Sequence, residues 1–153
     1  MPFIRPARIR RQISSVRRRN AGDVTGKEIA MTTQELYANI GGSYDSAKRI
    51  LQMDRMIGRF IVKFLDEKSC GKLLAAKEAN DPVGMFEGAH AMKGVCANLG
   101  LDELSRMASD IAEEFRPGHT PVMSPAELDQ RFDELKALYD RTIAGIQQFQ
   151  AEQ

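Results

Sequence analysis

From Met31 onward, apolar residues return every three or four positions, the period of helices with one buried face. A first short helix is predicted over 43–51, after the Gly41-Gly42 break. Asp54 can cap the next, whose stripe Ile57, Phe60, Ile61, Phe64 faces a core. Gly71 interrupts, and Leu73, Leu74 and Ala76 continue a shorter helix to Asn80. "NDPVG" is a start signal, with Asp81 as N-cap and Pro82 first in the helix. Gly100 ends that helix. Leu101, Leu104, Ala108, Ile111 and Phe115 then repeat at 3, 4, 3, 4. "RPGHTP" reads as a loop, and "SPAE" as a capping box of Ser124 and Glu127 with Pro125 first in the helix. The last helix carries Leu128, Phe132, Leu135, Tyr139, Thr142, Ile146 and Phe149. No segment alternates with period two, so no strand is expected. The predicted class is all-α: an antiparallel four-helix bundle with short additional N-terminal helices.

Composition fits this picture. The 153 residues are 42% hydrophobic and 28% charged, enough for one compact soluble domain with its own core. No apolar run approaches the roughly 18–20 residues of a membrane span. Cys70 and Cys96 are isolated and read as small buried hydrophobes rather than a disulfide or metal pair.

Charge divides the chain. Residues 1–30 carry eight Lys+Arg against two Asp+Glu, and the rest carries 14 against 19. The expected organisation is a disordered basic leader over 1–30 and a mildly acidic helical domain over 31–153. The leader lacks the apolar region of a secretory signal, although its arginine-rich start resembles an organellar transit peptide. Such a segment could also touch anionic membrane or nucleic acid, but the simpler reading is an over-extended start, because Met31 opens "MTTQEL". Nothing in the acidic domain suggests nucleic-acid binding, which needs a cationic face to displace counterions.

The chemistry concentrates in "EGAHAMKGVCANLG", Glu87 to Gly100. On a wheel of about 100° per residue, Met85, Ala89, Met92, Cys96 and Leu99 form one narrow core stripe. His90 lies more than roughly 100° from its centre and is expected to face out. It shares its face with Val83, Phe86, Lys93, Gly94 and Ala97. A glycine at 94 costs roughly 1 kcal/mol of helix stability against alanine and leaves space beside the imidazole. An exposed imidazole keeps a neutral, nucleophilic nitrogen at cell pH and can accept and release a phosphoryl group. Lys93, one turn on, can offset the phosphoryl charge.

The segment Ala89 to Leu104, "AHAMKGVCANLGLDEL", resembles the signature of histidine-containing phosphotransfer (HPt) domains of two-component phosphorelays. Ala89, His90, Lys93, Gly94, Leu99, Gly100 and Leu104 meet the family pattern, and Met92 stands in for its usual leucine at similar volume. The resemblance covers roughly residues 41–150. It implies a four-helix bundle with His90 as phosphoacceptor, Lys93 stabilising phosphoryl charge and Gly94 giving partner access. The docking face expected around them is Val83, Phe86, Glu87 and Ala97. The resemblance further implies response-regulator receiver domains, and a hybrid sensor histidine kinase, as partners. The chain itself would hold no cofactor, the Mg²⁺ belonging to the receiver. The protein would be a cytoplasmic monomer, and a phosphocarrier rather than an enzyme. The absence of any G-x-x-x-x-G-K-[ST] or kinase-like glycine box agrees with this.

Three rival readings fit parts of the chain. Glu87 and His90 also fit E-x-x-H, but a di-metal bundle needs a second copy and two more inward glutamates, and His119 sits in a loop motif. The dimerisation bundle of a sensor kinase lacks its nucleotide-binding domain here. The nearest alternative is a phosphorylation-independent adaptor that binds a receiver or kinase through the His90 face.

Overall fold

The computed structural model describes residues 29–153, and the basic leader, including any judgement of its order, lies outside the described residues except for its last two positions. Seven α-helices account for the described chain: α1 (Thr33–Ile40), α2 (Tyr44–Leu51), α3 (Asp54–Lys63), α4 (Ser69–Glu78), α5 (Pro82–Asn98), α6 (Asp102–Glu114) and α7 (Pro125–Ala151). Among the described residues there is no strand.

Helices α4 to α7 form the antiparallel four-helix bundle. Short connections turn α4 back along α5 and α5 back along α6, and α6 packs on α7. The ring closes where Lys77 of α4 pairs with Asp129 of α7 at 2.7 Å and lies over the Phe132 ring. Helix α7 runs 27 residues, about twice the length of α6, so its C-terminal half projects past the bundle. Helix α3 lies along that projection: Phe64 meets Tyr139 edge-on, and Gly58 faces Phe149. Helices α3 and α4 therefore run in one direction, antiparallel to α7. Helix α1 packs on the same part of α7, where Gly145 faces Ile40.

The start and stop signals act as their chemistry requires. Asp81 accepts from the Gly84 amide with Pro82 first in α5, and the Ser124–Glu127 box is closed in both directions. Gly100 adopts φ +71° after α5, and a Cβ there would lie 2.5 Å from the Ser43 carbonyl. That close approach lets the Ser43 amide donate to the Gly100 carbonyl at 2.8 Å, seating the α1–α2 turn on the end of α5. Tyr37, fully buried, donates its hydroxyl to the Leu99 carbonyl from the same side.

Four expectations need correction. Helix α1 precedes the helix expected to come first, and "TTQE" carries its capping box, Thr32 with Glu35. Asp54 is the first helical residue of α3, not its cap; its carboxylate instead takes Lys48 at 2.9 Å and the Tyr44 hydroxyl, clasping α2 to α3. Gly71 lies inside α4. The interruption falls earlier, in a 3-10 turn at Phe64–Asp66 and an extended Glu67, whose carboxylate accepts from the Ser69 amide at 2.9 Å. Phe60 is 37% exposed, with Lys63 over its ring, while Ile57, Ile61 and Phe64 carry the core stripe. A pattern also gives no sign of Glu114, buried at the end of α6. Its Oε1 accepts from the Val122 and Met123 amides and holds the loop that contains His119.

Candidate functional site

Helix α5 presents two unlike faces. Met85, Ala89, Met92 and Cys96 are buried against the neighbouring helices, as the wheel requires. Gly88 joins them: a Cβ there would stand 2.9 Å from Leu73 Cα and 3.0 Å from its amide nitrogen, so α4 and α5 meet backbone to backbone. Burial pushes the Cys96 thiol up to about 12, and burial with the nearby Asp140 carboxylate pushes Cys70 to about 11. Both stay protonated near neutral pH and behave as hydrophobes.

The other face carries His90, exposed, with neither ring nitrogen hydrogen-bonded among the described residues. Its ring stacks on Phe86, one turn earlier, with centroids 5.6 Å apart and planes 24° from parallel. The stack covers one flat side of the imidazole. The nitrogens sit on the ring edge and stay available. Gly94, one turn later, is exposed, and a Cβ built there would meet nothing within 4 Å. Lys93 is half-buried and makes no ion pair among the described residues, so its charge is not spent on a local carboxylate. Its backbone carbonyl accepts from the Ser105 hydroxyl of α6 at 2.9 Å, which ties this turn of α5 to the neighbouring helix.

Of the expected docking face, Val83 is 66% exposed, and Glu87 and Ala97 are exposed too. Phe86 departs from its expected place. It is half-buried and packs partly against the core, so it supports the helix as well as the imidazole. Ser105 and Gly88 escaped the sequence reading, because their roles arise only when α6 and α4 are packed against α5. Glu87 and His90 of the E-x-x-H spacing both point to solvent.

Residues 45–145, from the first turn of α2 to the projecting part of α7, match the Hpt domain family. The chain belongs to that family. Comparison with curated proteins and with solved structures gave no match. Hpt domains serve histidine phosphotransfer in two-component systems and work with receiver domains and kinases. They are phosphocarriers rather than enzymes with an ATP site of their own. Among the described residues of this Hpt protein, no helix is long and apolar enough to cross a membrane.

Proposed function

We propose that His90 is the phosphoacceptor of a relay that exchanges a phosphoryl group with receiver-domain aspartates. The observation that carries the reading is an exposed imidazole whose two nitrogens have no hydrogen-bond partner among the described residues, with open space over Gly94 one turn on. In the forward step the lone pair of the unprotonated ring nitrogen attacks phosphorus of an aspartyl phosphate. The P–N bond forms, the P–O bond to the aspartate breaks, and its electron pair returns to the carboxylate. The second ring nitrogen keeps its proton. Return of the phosphoryl group to another receiver reverses the step.

The residues around His90 would divide the remaining work. Phe86 holds the imidazole upright by stacking, which limits the rotamers that must be frozen when a partner docks. Lys93, without an ion pair among the described residues, would offset the phosphoryl charge from one turn away. Gly94 leaves room for the partner's active site to close on the ring. Val83, Phe86, Glu87 and Ala97 form the docking face, and the receiver supplies the aspartate and the Mg²⁺. A hybrid sensor kinase would load that receiver in the cytoplasm, and the carrier would act as a monomer.

An adaptor that binds without transfer uses the same face, and the Phe86–His90 stack beside exposed Val83 is the feature that favours it. Phosphotransfer separates the two. A phosphorylated receiver from the same genome is mixed with wild type and His90→Gln, and label on the small chain is followed. Acid-labile, base-stable label on wild type alone supports the relay. A folded wild-type protein that binds receivers but takes label from none of them sinks it and leaves the adaptor.

A further inference from the structure

A second surface lies away from His90. It is an open groove of about 630 Å³ formed by the start of α1, one side of α3 and the last turns of α7, with no residue from α5. Part of it falls beyond residue 145, where the Hpt match ends.

Its chemistry is unlike the rest of the domain. Arg55, Arg59 and Lys63 recur every fourth residue of α3, so their charges form a row of about 12 Å along one wall. All three are exposed, and none makes an ion pair among the described residues. The one acid among the described lining residues, Asp54, is already held by Lys48 and Tyr44. This row sits on a domain whose residues 31–153 carry 14 basic against 19 acidic side chains, so it reverses the local sign.

The floor is apolar and open. Val62 and the Phe149 ring line it, and Gly58 lies between the cations. A Cβ at Gly58 would meet Phe149 and Thr33 at 3.6 Å, an ordinary contact, so packing does not demand glycine there. A mid-helix glycine nonetheless disfavours the helix relative to alanine, and here it keeps the floor low.

We propose that this groove docks an acidic amphipathic helix of a partner protein, independently of the His90 face. Carboxylates one turn apart on that helix would meet Arg55, Arg59 and Lys63, while its apolar side lies over Gly58 against Val62 and Phe149. The chain's own leader is a poor occupant, because residues 1–30 share the sign of the groove, with eight basic against two acidic side chains.

The test uses the full chain and a labelled synthetic helical peptide with glutamates on every fourth position and leucines on the adjoining face. A scrambled peptide of equal composition is the control. The expected result is saturable binding, weakened at least roughly tenfold by Arg55→Glu/Arg59→Glu and unchanged by His90→Gln. Amide shifts should move in α3 and the last turns of α7. The alanine pair Arg55→Ala/Arg59→Ala, with circular dichroism alongside, guards against a folding defect. A flat titration, equal binding of the scrambled peptide, or shifts centred on α5 would overturn the proposal. So would sedimentation with vesicles of phosphatidylcholine and phosphatidylglycerol that needs these arginines while the peptide stays unbound, because the groove would then face an anionic membrane.

Discussion

Gly88 and Gly94 share helix α5, less than two turns apart, and meet opposite surroundings. At Gly88 a single added carbon would press into the backbone of Leu73, which cannot swing aside as a flexible side chain could. At Gly94 the same carbon would meet nothing within 4 Å. Each glycine carries the same intrinsic penalty, roughly 1 kcal/mol against alanine in a helix interior. At Gly88 that penalty permits the close approach of α4. At Gly94 no contact among the described residues recovers it, and the space it leaves beside His90 is what the proposed docking of a partner would use.

Substitutions on the two faces should therefore diverge. The largest effect is expected at Gly88. Gly88→Ala forces α4 and α5 apart and should destabilise the fold by about 1–3 kcal/mol despite its better helix propensity. A melt unchanged from wild type would mean that the α4–α5 approach is looser than described. Phe86→Ala comes next, at about 1–2 kcal/mol, because only part of the ring is buried against the core. Imidazole proton shifts should change in the same variant as the stack is lost. A loss of stability with unmoved His90 resonances would separate packing from stacking. Gly94→Ala is the smallest change and has the opposite sign. It should raise stability by about 0.4–1 kcal/mol while slowing phosphotransfer from a receiver. If transfer ran at the wild-type rate, the open space over Gly94 would not be used by the partner.

The same contrast marks what could be read from the chain alone. Helices α5, α6 and α7 are legible because each buries one regular stripe, and α5 and α7 also open on strong N-caps; the exposure of His90 follows from phasing the α5 stripe. Helix α1 is not, because eight residues with three buried side chains give too short a period to stand out beside its capping box. The wheel puts Phe60 beside Ile57 and Ile61 and so predicts it in the core. The true stripe is narrower, and the ring lies at its edge under the Lys63 ammonium. His90, Lys93 and Gly94 lie within one turn of the same helix, so their neighbourhood is visible in the sequence. Gly88, Ser105 and the α3 groove are not, since each depends on which helix arrives as neighbour, and that is not a property of one period.

The projecting end of α7 also bears on how the chain reaches its fold. Helix α1 rests on it, and Gln153 donates to the Met31 carbonyl and Arg141 to the Asn39 carbonyl, linking residues more than a hundred positions apart. Loops of that length close slowly compared with the hairpins of α4–α5 and α5–α6. The bundle can thus assemble from local contacts, while α1, made early by the ribosome, waits for the last-made turns of α7 before it is fixed.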